Sequence, residues 1–361
     1  MTRQSEQVLE SQLVERLKGL EYEYVKIKDE GDLLKNLKTQ IEKHNKLTLT
    51  DKEFDKVLNH LNKGNVFERA KIMRDKMQLT KEDGTSVYIS FINQEFSHQN
   101  TFQVTNQVTM EGSYKNRYDV TLLINGLPMV QIELKRRGLE LKEAFNQIQR
   151  YQRHSFSASQ GLYNYVQIFV ISNGVNTKYY ANNKKQSFKQ TFFWSDDNNK
   201  KITNLEGFTD SFLERSHIAK MICKYIVLAE SYKILMVLRS YQYYATEKII
   251  QTVKNTSNNG YIWHTTGSGK TLTSFKASQI LMKMPEVEKV VFVVDRKDLD
   301  YQTTKEFNSF SDGSVDGTDN TKSLVKQFSD DTKLLVTTIQ KLNNAIDKQH
   351  YLDKMEKLRD K

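Results

Sequence analysis

Apolar positions in the first sixty residues recur at helical spacing. Val8, Leu9, Leu13, Val14, Leu17 and Leu20 fall on one stripe, which predicts a helix from about Ser5 to Leu20 with Glu6 and Glu10 beside the stripe. A strand-like stretch from Tyr22 to Ile27 and a second helix from about Asp32 to His44 follow. Thr50-Asp51-Lys52-Glu53 then has the spacing of a capping box and opens a third helix to about Leu61. From Ser86 to Ile89, Phe102 to Val108 and Tyr118 to Lys135 the period changes to two, as strands require. An Asn125-Gly126 pair divides the last of these into a hairpin. Leu141, Ala144, Phe145 and Ile148 stripe a helix from Leu139 to about Arg153, and strands from Tyr165 to Ser172 and Thr177 to Tyr180 flank the turn at Asn173-Gly174. The basic run at 181 to 185 reads as a solvated turn, Phe192-Phe193-Trp194 as packing, and a mixed helical stretch from about Leu205 to Ser231 closes a first domain.

The pattern changes again in the last third. A helix opens at Leu238 to Tyr244, and Tyr261-Ile262-Trp263 follows the turn cluster Asn258-Asn259-Gly260 as a short buried strand. Leu272, Phe275, Ile280, Leu281 and Met284 predict a helix that Pro285 stops, and the unbroken run Val290 to Val294 predicts a central parallel strand. That is a βαβ unit. Asp295-Arg296-Lys297-Asp298-Leu299 and Leu334 to Leu342 repeat the passage from strand to helix. No linker rich in Gly, Pro or Ser separates the two parts, so the boundary is set near Ser231 to Lys233, giving domains 1–232 and 233–361.

Between that strand and helix lies His264-Thr265-Thr266-Gly267-Ser268-Gly269-Lys270-Thr271. Gly267 and Gly269 allow the backbone to wrap phosphate oxygens, with the Ser268 amide between them. Lys270 suits the β- and γ-phosphates, and the Thr271 hydroxyl suits Mg²⁺. Histidine at the first position makes this a variant loop of helicase type. Upstream, Gln242 has the amide to read both edges of adenine and Tyr241 the ring to pack on its face, which favours ATP over GTP.

The hairpin carries the second candidate chemistry. Alternation sends Val130, Ile132 and Leu134 to one face and Gln131, Glu133 and Lys135 to the other, so charges stand in a strand otherwise fit for burial. Such charges are costly unless paired or bound to metal. Asp119 on one strand with Glu133-Leu134-Lys135 on the next is the arrangement of PD-(D/E)xK nucleases. There the carboxylates of Asp119 and Glu133 and the Leu134 carbonyl suit Mg²⁺, and Lys135 suits the attacking water. Register tests the idea: a strict two-residue turn sets Asp119 opposite Ile132, and only an odd loop or a bulge brings Asp119 to Glu133. Gln147 and Tyr151, one turn apart on the following helix, are placed to support that site.

Composition narrows the class. The formal charge of +10 and 11% aromatic content suit a polyanion partner, though many lysine-rich surfaces share them. A single cysteine, Cys223, excludes a disulfide framework and a cysteine-rich zinc site. No apolar run approaches a membrane span and the polar N-terminus is unlike a signal peptide, so a cytoplasmic location is expected.

Together, the segments Arg117 to Gly138, Ala144 to Tyr151, Tyr261 to Ala277, Val291 to Thr303 and Val336 to Leu342 resemble the amino-terminal part of the R (motor and nuclease) subunit of type I restriction enzymes. The order of nuclease triad, Gln-x-x-x-Tyr and helicase loop is more specific than any one motif. The resemblance implies an α/β fold: a PD-(D/E)xK endonuclease domain, with a mixed sheet flanked by helices, followed by part of a RecA-like parallel α/β helicase domain. It implies that Asp119, Glu133 and Lys135 cleave, that Gln147 and Tyr151 support them, and that Gln242, Gly267, Gly269, Lys270 and Thr271 bind ATP and Mg²⁺. The partners implied are double-stranded DNA and the methyltransferase and specificity subunits. ATP-driven translocation would precede cleavage of unmodified DNA. Ser240 departs from the proline common before the Tyr-Gln pair. The 361 residues contain no Asp-Glu-x-His segment and no second motor lobe, so the chain alone is expected to lack ATPase. The alternatives are a scaffold that docks DNA and partners, or a helicase with a non-cleaving accessory domain.

Overall fold

The computed structural model describes residues 5–112, 114–157, 160–256, 258–295, 297–310, 316–317 and 320–347. The chain folds as two compact units, Met1–Ile226 with Ile234–Ser240, and Val227–Lys233 with Tyr241–Lys361. Both are mixed α/β.

The first unit opens with α1 (Glu6–Gly19), capped by the Ser5 hydroxyl, which accepts from the Val8 amide. The Tyr22 to Ile27 stretch pairs only over β1 (Glu23–Tyr24). Next come α2 (Glu30–Asn45), α3 (Asp51–Leu61) and α4 (Val66–Ile72). The capping box of α3 is complete, with Thr50 accepting from the Glu53 amide and Glu53 accepting from the Thr50 amide. The hairpin of β2 (Lys76–Thr80) and β3 (Ser86–Ser90) leads to β4 (Phe102–Glu111), β5 (Lys115–Ile124) and β6 (Leu127–Leu134). Then follow α5 (Leu141–His154), β7 (Ile168–Ser172), β8 (Thr177–Ala181), β9 (Trp194–Ser195), β10 (Lys201–Ile202), α6 (Leu205–Phe212) and α7 (Arg215–Lys220).

A six-stranded sheet in the order β1-β4-β5-β6-β7-β8 forms the centre of this unit. It is mixed: β1 with β4 and β6 with β7 run parallel, and the other neighbours run antiparallel. Every residue of β6 and β7 is buried, so both faces of the sheet are covered there. Asn125 and Gly126 turn the β5–β6 hairpin with φ of 50° and 81°. Gly126 is required twice over, because a Cβ would also stand 2.8 Å from the Leu37 Cα. The Asn125 amide side chain fastens the turn to the Phe91 carbonyl at 3.0 Å and to Asn100 Oδ1 at 2.8 Å.

In the second unit β11 (Val227–Ala229) precedes α8, α9 (Lys270–Leu281) and β13 (Val290–Val294), whereas β12 (Ile234–Met236) belongs to the first unit. α8 spans Ser240–Asn255. α10 (Lys297–Phe310), β14 (Asp316–Gly317), α11 (Thr321–Ser329), β15 (Leu334–Thr338) and α12 (Ile339–Asp347) complete it. Its parallel sheet has the order β13-β15-β14, with Leu324, Val325, Phe328, Leu335 and Ala345 at the core.

Two expectations are corrected here. Tyr261-Ile262-Trp263 forms no strand, and Tyr261 and Trp263 are 88% and 89% exposed. A strand needs a ladder partner for its amides, and among the described residues this stretch has none. The run Val290 to Val294 is a parallel strand but lies at one end of the three-stranded order, with Val293 39% exposed, rather than buried at the centre. Without a strand before the phosphate loop, the βαβ unit is not closed. Arg296 lies outside the described residues. Among the described residues no helix is long and apolar enough to cross a membrane.

Candidate active site and phosphate loop

The hairpin bulges where the carboxylates need it to. Ile124 pairs Leu127 and Leu123 pairs Pro128, but Leu122 pairs Val130, so one residue of β6, Met129, is skipped. Pro128 has no N–H to give the ladder, which makes this the place where the register can slip. The Met129 carbonyl is used sideways, accepting from the Gln167 amide at 2.8 Å. Beyond the bulge Val120 pairs Ile132, and one step further Asp119 stands opposite Glu133 with both side chains on one face of the sheet.

Around this pair the groups are few and close. The Leu134 amide donates to Asp119 Oδ2 at 2.8 Å. The Lys135 ammonium donates to the Leu134 carbonyl at 2.9 Å and to Glu133 Oε1 at 3.4 Å. From α5, the Tyr151 hydroxyl donates to the Arg117 carbonyl at 3.0 Å and faces Glu133 Oε1 at 3.4 Å, and the Gln147 amide donates to that hydroxyl. All five residues singled out in this part of the sequence therefore meet in one place.

Glu133 is fully buried, and its Oε2 has no hydrogen-bond partner. Burial raises its carboxyl well above the usual range, and the charge of Asp119 adds to this against the opposing pull of Lys135 and Tyr151. Burial likewise pushes Asp119 up to about 6, with the Leu134 amide and Lys135 opposing and Glu10 and Glu6 adding. Tyr180 belongs to the same neighbourhood. Its buried hydroxyl has no partner, and burial together with Glu133 raises its phenol.

Glu10 is the residue that the sequence reading passed over. It lies in α1, is 7% exposed, and its carboxylate accepts from the Asn106 and Gln107 side-chain amides on β4. Gln107 has a φ of 57° there, a backbone twist that turns this segment toward α1. A charged residue beside the apolar stripe of α1 was the only available signal, and that spacing is also what a solvated helix edge gives.

The fit to a divalent cation rests on the donor set. An orphaned, fully buried carboxylate oxygen faces a second carboxylate, and oxygen ligands of this kind suit a hard cation such as Mg²⁺, which takes one or two carboxylates and completes its shell with water and phosphate. No cluster of three or more His, Cys, Asp or Glu suited to a metal occurs among the described residues, so a closed zinc-type site is not offered.

In the second unit the loop has the backbone that phosphate binding demands. Gly267 and Gly269 have φ of 73° and 81°, and around Gly267 a Cβ would find open space. Gly269 caps α9 without a side chain, leaving the helix amides free of a side-chain acceptor. The Lys270 ammonium lies across the loop, donating to the Thr265 carbonyl at 3.3 Å, and Ser268 Oγ bridges the Thr265 carbonyl and His264 Nδ1. Thr271 is the second residue of α9 and half-buried. The Gln242 amide donates to the Ser268 and Gly269 carbonyls, each at 3.3 Å, and the Tyr241 hydroxyl donates to the Ser268 carbonyl at 2.8 Å. Both side chains thus brace the loop.

Residues 3–188 match the family model for the type I restriction enzyme R protein N terminus, and residues 241–361 match that for the SWI2/SNF2 ATPase. The chain belongs to the type I restriction enzyme R proteins. It is 53% identical over 353 residues to an endonuclease subunit of Staphylococcus saprophyticus and 50% identical over 353 residues to one of Staphylococcus aureus, covering 96% of this chain in both cases. It is 36% identical over 261 residues to the EcoprrI endonuclease subunit of Escherichia coli, which covers 70% of this chain and 83% of that protein. The chain spans 38% of the length of the two staphylococcal subunits, and the R-protein and ATPase matches fall on its first and last parts respectively.

Proposed function

We propose that residues 1–232 form a Mg²⁺-dependent DNA endonuclease domain of the PD-(D/E)xK type and residues 233–361 the ATP-binding front of a superfamily 2 DNA translocase. They would act within a restriction complex that includes methyltransferase and specificity subunits and cleaves unmodified DNA. The observation that carries the nuclease half is the buried, unpartnered Glu133 oxygen beside Asp119, on the one face where the bulge aligns them. A protein does not retain such a pair for stability, since each carboxylate makes the other harder to ionise.

Asp119 and Glu133 would hold Mg²⁺, and the cation would supply charge stabilisation as the phosphodiester is attacked. Lys135, buried beside the pair and hydrogen-bonded to Glu133, orients the attacking water and favours its deprotonated form. Hydrolysis then joins the water oxygen to phosphorus and releases one ester oxygen, which takes up a proton. Tyr151 and Gln147 hold the Glu133 carboxylate in place, and Glu10 adds negative charge near Asp119. In the second unit Gly267, Ser268, Gly269 and Lys270 would cradle the phosphates, Thr271 would hold Mg²⁺, and Gln242 would couple the adenine side to the loop it already braces.

Asp119→Ala in the assembled restriction complex tests the nuclease half. Loss of DNA cleavage with ATPase and assembly intact is the expected outcome. Full cleavage by this variant would leave the first unit as a docking scaffold.

A further inference from the structure

The face that carries Asp119 and Glu133 does not end with them. Across the sheet Glu133 pairs Ile171 on β7, and Ile171 pairs Lys178 on β8. With strands ~4.8 Å apart, the Lys178 backbone lies roughly 10 Å from that of Glu133, its side chain on the same face. One step along, Leu134 pairs Ser172, and the register continued sets Lys135 beside Asn173. Asn173 and Lys178 both line a cavity of about 670 Å³, together with Arg137, Lys142, Phe188 and Phe193.

The walls of this cavity are preformed. Asn173 is buried; its Nδ2 donates to the Leu139 carbonyl at 2.7 Å, and its Oδ1 accepts from the Val175 and Asn176 amides at 3.2 and 2.8 Å. The Lys178 ammonium lies over two rings, 4.9 Å from the Phe188 centroid and 4.8 Å from that of Phe193. Lys201 approaches the Phe193 ring as well, at 5.9 Å. Burial lowers the Lys178 ammonium from its ordinary range and Lys201 lowers it further, and among the described residues no carboxylate forms an ion pair with it.

The charges of the lining agree. Arg137, Lys142 and Lys178 face the cavity against one acid, Glu140. Glu140 is also the N-cap residue of α5 and makes no side-chain cap hydrogen bond, while the first residues of α5 line the cavity. Their amides add donors to the cations. The ring faces are occupied by Lys178, so the aromatics shield a cation instead of offering a platform for a base.

We propose that this cavity is a second phosphate site on the nuclease face, which grips the backbone of the cut DNA strand one or two nucleotides from the phosphodiester at Asp119 and Glu133. It rests on the nuclease reading and adds to it where the strand runs. Phosphate contacts of this kind fix register and carry no sequence information.

The test measures binding of a 30-base-pair duplex to the 361-residue chain by fluorescence anisotropy, with Ca²⁺ in place of Mg²⁺ and salt varied from 50 to 200 mM. Lys178→Met, which keeps a long apolar stem between the rings, should weaken binding about tenfold at low salt. It should also flatten the slope of log affinity against log salt by about 1. Lys178→Arg should bind within twofold of the unaltered chain, and Arg137→Gln, at an exposed position, should show a smaller loss in the same direction. Melting curves establish that each variant is folded. The proposal is overturned if Lys178→Met and Lys178→Arg bind alike with unchanged slopes, or if the unaltered chain does not bind the duplex. Asp119→Asn separates this outcome from the reading beneath it. If that variant abolishes cleavage in the complex while Lys178→Met binds normally, only the second phosphate site fails; if it still cleaves, the nuclease reading fails whatever Lys178 does.

Discussion

The two regions proposed to handle phosphate meet the same electrostatic problem in opposite ways. At the Asp119–Glu133 pair the charge is carried by side chains driven into a covered sheet, with Glu133 wholly buried. At the Gly267–Thr271 loop the donors are backbone amides at the start of a helix, and the one charged side chain, Lys270, is exposed. The first arrangement stores unfavourable free energy that a divalent cation would relieve. The second stores almost none, because glycine reaches positive φ without strain. A site of the first kind must be held by a large, rigid fold, whereas a loop needs only its helix and a brace such as Gln242.

The largest expected effect breaks the comparison into its halves. In the complete subunit within its complex, Glu133→Gln should lower DNA cleavage by about 10³-fold or more with ATPase unchanged, and Lys270→Ala should lower ATPase by on the order of 10²-fold or more. ATPase that survives Lys270→Ala would remove the motor reading. Next, Gly269→Ala should weaken ATP binding at least about tenfold. Its φ of 81° strains alanine, and the new Cβ would stand 2.6 Å from Gln242 Nε2. Equilibrium binding of a labelled nucleotide reads this out, and unchanged affinity would show that the loop's backbone is not what holds the phosphates.

The pH dependence sharpens the contrast, because the shifts run in opposite directions: the buried carboxyls are raised, whereas burial and Lys270 lower His264 in the loop. Asp119 has its folded value raised to about 6 from 3.8, so the folded state holds its proton more tightly than the unfolded chain. Its contribution is therefore full below about pH 4 and is lost as pH rises through about 6, and Glu133, raised well above its usual range, extends the loss to higher pH. Without divalent cations, the pair's contribution to the melting temperature should fall across this window, against the rise given by His217, which burial lowers to about 4. Glu133→Gln should flatten the fall, and Mg²⁺ should restore stability with release of protons. A Glu133→Gln variant whose pH profile matches that of the unaltered metal-free chain would contradict the assignment.

Two smaller effects complete the series. Tyr151→Phe removes the hydroxyl that faces Glu133 and the Arg117 carbonyl, and should cost about 1 kcal/mol of stability and about tenfold in cleavage rate. A cleavage rate equal to that of the unaltered enzyme would reduce Tyr151 to packing. Thr50→Ala removes half of the capping box of α3, which contributes no residue to the carboxylate site, and should cost roughly 1 kcal/mol in denaturant unfolding while leaving cleavage as it was.

Legibility followed the strength of local signals. Ser5, the Thr50–Glu53 box and the Asn125-Gly126 turn each carry their own stereochemistry and appear in the structure where the sequence places them. The short elements α4 and β2 were missed, since seven and five residues of mixed polarity give no period to read. Tyr261-Ile262-Trp263 has strand composition but no partner among the described residues, and composition cannot supply one. Glu10 stayed hidden because its meeting with Asn106, Gln107 and the neighbourhood of Asp119 joins positions about a hundred residues apart.

The sequence by itself determined which groups were available: two carboxylates and a lysine in strands of apolar alternation, a Gln and a Tyr one helical turn apart, and glycines where a loop must bend around phosphate. It also posed a register condition, because side chains alternate across a strand and one residue more or less decides which face they share. Only the tertiary structure decided that condition, through the skipped Met129 beside Pro128. The same packing covered Glu133 on every side, and with it set the proton affinities on which a cation would act. Pairing and burial depend on neighbours brought together by the fold, so no local pattern in the chain could have fixed them.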